Sequence, residues 1–422
     1  MVPIYTVEKP GFKQLVDAFD KQYELPSRKY FTKTAIPTLH NATRDTVAVE
    51  ISDVMYFSAT TDLWSSEGMK PYLSYTIHFI RDWKLRSRCL QTSFMPEDHT
   101  GENLAEAMKC SLEAWELDES KQVCLTTDSG ANIVNAASRL DWMRLSCFGH
   151  NLRLAITNSI KCDDRCTRAL GLARKIDTEV LEAISTVLSS LDDLTDFLSG
   201  EHYVSISSIR SVIKHIHEEA LVEKDDDVSL VRDMKRRIHT DLDSRHRDSK
   251  VQYFLDISSF LGPRFTVEHI AEENQTAFKE AVIQEGLQIF HLAVAEETEP
   301  AQSSLTSVAT SSSDPCDEQL PPKKKSKLAR ILKSSNDSEQ RRLTPRDKVV
   351  KEVRSYTDRP CIDVEDDPLE WWHIECHNYP CLSHLASKYL SVCATSSLSE
   401  HVSSAPGKNC HTPSQPSKAC NG

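Results

Sequence analysis

A chain of 422 residues with a net charge of −13, 39% hydrophobic and 27% charged side chains is long enough for two or three domains and apolar enough for at least one real core. The acidic balance excludes indiscriminate attraction to nucleic acid, so any DNA contact must come from local basic patches. No stretch approaches the ~18 apolar residues of a spanning helix, the start MVPIYTVEKPGF lacks a leader pattern, and 13 scattered cysteines read as reduced thiols, so a chain that stays inside the cell and touches no membrane is expected.

Residues 8 to 36 place apolar side chains near helical spacing and gather Arg28, Lys29 and Lys33 around Tyr30 and Phe31. They predict a small helical entry segment within 1–50; its basic end is ordinarily just solvated, with a DNA-contacting patch as the sharper alternative. From 53 to 160 the signals run strand, strand, strand, helix, strand, helix. VMYFSATT, PYLSYTIHFI and WKLRSRCLQTSFM are rich in β-branched and aromatic residues, GENLAEAMKCSLEAWEL is an amphipathic helix, and KQVCLTT is a short apolar strand. Asp62 and Asp128 directly follow the first and fourth strands. If those strands are neighbours in a mixed sheet, both carboxylates emerge at one edge, an arrangement of the ribonuclease-H-like fold.

Residues 178 to 292 are helical in pattern almost throughout, predicting an all-α layer or domain over 177–293. From 294 to 358 the composition turns polar, as expected of a disordered linker. Within it PPKKKSKLARILK forms a compact basic run, and Lys323, Lys324, Lys325 and Lys327 are of the sort that nuclear import receptors read; DNA contact or plain solvation are the alternatives. A last structured piece occupies 359–402, and the Ser/Pro/Gly-rich 403–422 reads as a disordered tail.

FSATTDLWSS at 57–66, LTTDSGANIV at 125–134, and DPLEWW with YPCLSHLASKYLSVCATSSLSE up to 400 resemble hAT transposases and their host-adopted relatives, the zinc finger BED domain-containing proteins, in wording, order and spacing. The resemblance covers most of the chain. It implies an α/β plus all-α architecture: a ribonuclease-H-like mixed-sheet core (51–176) interrupted by a helical insertion domain, with a C-terminal hAT dimerisation block. It also implies a DDE nuclease, in which Asp62, Asp128 and Glu400 are the ancestral acids holding paired Mg²⁺ for in-line attack on phosphodiesters; hard oxygen ligands suit that ion. An acid after a strand is otherwise commonly a loop or cap residue, and Asp128 could cap the next helix.

Cys147 and His150 form CFGH, matching the family's Cys-x-x-His, for which packing or local hydrogen bonding is the simpler reading than a metal. Cys361, His373, Cys376, His377, Cys381 and His384 fit no paired zinc module by spacing. Trp371, Trp372, Leu382, Leu385 and Tyr389 fall in the block that mediates subunit association in the family, though ordinary core packing explains the tryptophans equally well.

Three departures separate this sequence from the family pattern. No Cys-x2-Cys followed by paired histidines supplies a zinc finger. The family's Thr-Arg-Trp segment is missing where Lys175-Ile176-Asp177 runs on, which removes a stacking partner for a flipped base. After Glu400 a Pro and a Gly follow within seven residues, where the relatives continue a helix that would support a metal ligand. The expected function is a nuclear, catalytically degenerate transposase derivative that regulates transcription through association with itself or related hAT-type proteins and with DNA or chromatin. No cofactor is expected, save Mg²⁺ if the acids are active. An active metal-dependent transposase or nuclease, and a truncated copy without function, are the alternatives.

Overall fold

The computed structural model describes residues 3–66, 68–164, 166, 182, 184–189, 191, 194, 205–225, 227–298, 344–397 and 399, with the backbone alone over 290–298. Two compact units emerge. The first comprises Met1–His269, Ile362–Ile374 and Ala386–Gly422; the second comprises Ile270–Cys361 and Glu375–Leu385.

The first unit opens on α1 (Pro10–Phe19), which has proline in its first turn, where no intrahelical N–H is lost. A single turn, Arg28–Tyr30, follows, with Ser27 Oγ accepting the Tyr30 N–H; a π-type turn, Phe31–Ala35, then leads into α2 (Ile36–Ile51). Arg28, Lys29 and Lys33 are exposed there.

A five-stranded sheet forms the heart of this unit, built from β1 (Phe57–Ser65), β2 (Pro71–Arg81), β3 (Lys84–Phe94), β4 (Gln122–Thr127) and β5 (Arg144–Ser146) in the order β3-β2-β1-β4-β5. β1 and β3 flank β2 antiparallel, whereas β1, β4 and β5 are parallel. The β2–β3 hairpin turns on Asp82 and Trp83, both with positive φ (51° and 54°). Two such residues match the right-handed strand twist but strain a side chain as large as tryptophan. Trp83 is held by stacking on Trp372, ring centroids 6.0 Å apart.

In β2, Leu73, Tyr75, Ile77 and Phe79 alternate with Ser74, Thr76 and His78, so one face is apolar and the other polar. The apolar face joins Phe57, Ala59 and Leu125 in a core with Leu104, Met108 and Leu112 of α3 (Gly101–Ala114) and Ile133 and Ala136 of α4 (Ala131–Arg139). Thr100 caps α3 by accepting the Asn103 N–H. Beyond the sheet, α5 (Phe148–Lys161) packs on α7 (Ser229–Arg245), and α6 (Ile209–His215) and α8 (Ser249–Leu261) belong to the same unit. Much of the helical stretch expected from 178 to 204 lies outside the described residues.

In the second unit α9 (Glu272–Thr298) packs on α10 (Pro345–Thr357). The latter lies inside the span read as linker. Its Thr344 and Asp347 form a reciprocal capping box, and Val349, Val353 and Tyr356 are buried at helical spacing. Three apolar side chains on one stripe suffice to order a segment whose average composition is polar. Of two further helices, α11 (Pro368–Glu375) belongs to the first unit up to Ile374, and α12 (Pro380–Tyr389) is shared, its residues up to Leu385 belonging to the second unit.

Candidate functional site

Thr-Thr-Asp occurs twice, as Thr60-Thr61-Asp62 on β1 and as Thr126-Thr127-Asp128 at the end of β4. The parallel ladder pairs Thr60 with Thr126. Each aspartate is two residues further along: Asp62, expected just after the first strand, lies inside β1, because the ladder with β2 carries that strand on to Ser65, whereas Asp128 directly follows β4, so both acids stand at about one level on neighbouring backbones spaced about 4.8 Å. Asp62 is half-buried at the edge of the polar face, in register with Ser74 of β2. Asp128 has left the strand, and its Oδ1 accepts the Gly130 N–H at 3.1 Å, fixing the turn into α4.

The polar face between these acids and the start of β1 is buried. Ser58, Thr60, Thr76, His78 and Thr126 are at most 3% exposed. Burying hydroxyls without partners is costly, and here residues 391–399 supply many of the partners. Ser58 Oγ donates to the Ser391 carbonyl (2.8 Å), Thr126 Oγ1 donates to the Cys393 carbonyl (2.9 Å), and Thr60 Oγ1 pairs with Ser399 Oγ (2.7 Å). Ser399 immediately precedes Glu400, which itself lies outside the described residues. His78 sits between Thr60 (Nε2 to Oγ1, 2.9 Å) and Ser87 (Nδ1 to Oγ, 2.8 Å), and burial lowers its pKa to about 3. The ring is therefore neutral and structural.

On the other side of Asp128, Arg144 donates through Nη1 to Thr127 Oγ1 (3.1 Å) and to the Asp128 carbonyl (3.0 Å). Burial lowers the guanidinium pKa, and the Asp128 charge opposes that shift. A cavity of about 700 Å³ opens beside it, where Ser129, Arg144 and Phe148 meet Arg245, His246 and Lys250. Its wall mixes three basic side chains, Arg144, Arg245 and Lys250, with two acidic ones, Asp141 and Asp248, and Arg245 is ion-paired with Asp241 (3.0 Å).

Cys147 opens α5 beneath the same C-terminal segment. Its N–H donates to the Thr127 carbonyl (2.7 Å), and its Sγ accepts the Ser396 N–H (3.3 Å). Burial pushes the thiol up, but hydrogen bonds from His150 and Ser396 outweigh it and leave the pKa below the usual value. The CFGH pair thus works as a local hydrogen-bonded link between β4, α5 and residues 394–396.

Most of the residues assigned to subunit association are buried within their own chain. Trp372 is fully buried, donates from Nε1 to the Leu261 carbonyl (2.9 Å), and meets Trp371 edge-on with centroids 4.9 Å apart. Leu382, Leu385 and Tyr389 are likewise buried, and Tyr389 lies against Phe254. Ile374, by contrast, is 67% exposed on α11. In the second unit, burial and the neighbouring Glu352 push the Cys381 thiol up to about 12, which disfavours a thiolate metal ligand. Lys323, Lys324, Lys325 and Lys327 lie outside the described residues.

Sequence reading singled out the acids but missed Thr60, Thr126, His78, Arg144 and the hydroxyls of the C-terminal segment. The repeated Thr-Thr-Asp was the available signal, since the two identical tripeptides on neighbouring parallel strands share one register.

Residues 60–147 match the family model for the ZBED1 RNase-like domain, and residues 352–418 match that for the hAT family C-terminal dimerisation region. Zinc finger BED domain-containing protein 4 of Homo sapiens is 21% identical across 96% of this chain. The "Putative AC transposase" of Zea mays is 28% identical over 31% of the chain, and zinc finger BED domain-containing protein 6 of Homo sapiens is 21% identical over 37%. The chain spans 40%, 16% and 18% of the lengths of these three relatives.

Proposed function

We propose that this chain, a hAT-transposase-derived protein akin to the BED-finger proteins, is a host-adopted nuclear factor that associates with itself or related hAT-type proteins and contacts DNA or chromatin, acting in transcription regulation without transposing DNA. The observation that carries this reading is the ordered dimerisation-type region. Between 352 and 397 it contributes three helices, α10, α11 and α12, with Glu352 capping the start of α12 and Trp372 of α11 fully buried. Such a scaffold can present a constant outer surface to a partner. Loss of the Thr-Arg-Trp segment and the Pro-Gly sequence after Glu400 argue against transposition. Light scattering on the purified full chain, combined with imaging of the tagged chain in cells, tests the reading. A dimer found in nuclei, released when Lys323, Lys324, Lys325 and Lys327 are all changed to Ala, is the expected result; a monomer confined to the cytosol removes it.

One observation favours a second reading, that of a metal-dependent nuclease on a ribonuclease-H-like core. β1 and β4 are adjacent and parallel, and Asp62 and Asp128 sit at one level. Carboxylate oxygens from neighbouring strands fit magnesium, which would be held by Asp62, Asp128 and Glu400 and would supply charge stabilisation to an attacked phosphodiester. The chain's own contribution would be orientation: Thr60 and Thr126 pin the strand ends, and Arg144 fixes the backbone of Asp128. Magnesium-dependent nicking of terminal-repeat DNA that vanishes in Asp62→Ala is the expected signature, and a lack of cleavage at every magnesium concentration excludes it.

A further inference from the structure

Away from the acids, three side chains with nitrogen and oxygen donors converge on the helical layer. His217 lies in the π-type turn Ile216–Ala220 that follows α6, while His239 and Asp243 are four residues apart on α7, hence on one helix face. One donor atom from each lies within 4.8 Å of the other two. His217 Nε2 is 3.5 Å from Asp243 Oδ1, and His239 Nδ1 is 3.6 Å from Asp243 Oδ2. The imidazole rings stack with centroids 3.9 Å apart.

Two features distinguish this cluster from an ordinary surface ion pair. His217 Nε2 is buried and makes no hydrogen bond, so a desolvated lone pair or N–H is left unsatisfied, which ordinarily costs about 1–3 kcal/mol. The separations also match a coordination shell, because ligands bound at about 2.0–2.2 Å around a tetrahedral ion stand roughly 3.4 Å apart.

We propose that His217, His239 and Asp243 form a binding site for a divalent transition-metal ion of the zinc type. Two imidazoles and one carboxylate favour zinc, cobalt or nickel over magnesium and calcium, which prefer all-oxygen shells. Asp243, with its side chain 46% exposed, leaves the fourth position open to water. The ion would tie the turn after α6 to the end of α7, closing the intervening loop and constraining the unfolded chain as a cross-link does. This proposal is independent of the acid pair and of the nuclear reading.

Zinc and cobalt titration of the metal-stripped full chain, followed by calorimetry and cobalt absorption, tests it, with magnesium as the control ion. Binding by the unaltered chain, at least about tenfold weaker in both His239→Gln and Asp243→Asn, together with a zinc-induced rise in melting temperature that both variants lose, is expected. These side chains are 41% and 46% exposed, so the variants should fold, and circular dichroism verifies it. No zinc or cobalt binding by the unaltered chain, or equal affinity in all three folded proteins, would overturn the assignment.

Discussion

Thr60 and Ser399, 339 residues apart in sequence, share a 2.7 Å hydrogen bond between their hydroxyls on a fully buried sheet face. Thr60 also meets His78, so one hydroxyl joins two strands to the C-terminal segment. Thr60→Val keeps the shape but leaves His78 Nε2 and Ser399 Oγ without that partner, and should cost about 1–3 kcal/mol in denaturant unfolding. Ser399→Ala should cost less. A double-mutant cycle should return a coupling of at least about 0.5 kcal/mol, whereas strict additivity would contradict the contact.

Acid should weaken the fold through His78. Its unfolded value is 6.5 and its folded value about 3. Between those limits the unfolded chain binds the extra proton, so the stability is complete above about 6.5 and is lost progressively as pH falls towards 3. The full effect is on the order of 4–5 kcal/mol. His78→Gln should be less stable at neutral pH and should show a shallower loss between pH 6.5 and 4, read from urea midpoints.

Glu352 caps α12 from a buried position, its Oε2 accepting the N–H groups of Cys381 (2.9 Å) and Leu382 (3.1 Å). Burial raises its pKa, and those two hydrogen bonds pull it back. Glu352→Gln keeps an acceptor and should change stability by less than about 1 kcal/mol, whereas Glu352→Ala strands two donors and should cost about 1–3 kcal/mol. Thermal unfolding of the two variants distinguishes a capping role from mere space filling.

Trp372 should prove a core residue before it proves an association residue. Trp372→Phe forfeits the bond to Leu261 and part of the stack beneath Trp83, at about 1–3 kcal/mol. Trp372→Ala should lose about 3–5 kcal/mol. If Trp372→Phe abolished self-association with no change in unfolding midpoint, the buried placement would be the wrong account of it.

The strands were legible where alternation was clean. PYLSYTIHFI and KQVCLTT correspond to β2 and β4 to within a residue, the first because apolar and polar side chains change places at every step, the second because a short apolar run marks a buried strand. β5 was missed, since Arg144–Ser146 is too short to display a period. Asp62 and Asp128 were both expected at strand ends, which holds for Asp128 but not for Asp62, inside β1, and Ser58, Thr76 and His78 carry nothing to say that the polar face is buried. That depends on residues 391–399, hundreds of positions away. The grouping of His217 with His239 was equally hidden: an i, i+4 pair on α7 is visible in sequence, but its third member comes from another turn. Helix α10 carried a readable capping box, Thr344 to Asp347, which the polar composition around it masked.

Because the lid over β1 and β4 comes from residues 391–399, the sheet cannot be finished before that segment has left the ribosome. Until then a row of hydroxyls and one neutral imidazole stays wet, waiting on contacts of very large sequence separation. Nascent chains stalled before residue 391 should therefore carry an open, protease-sensitive sheet, and a premature stop there would injure the centre of the molecule, not its periphery.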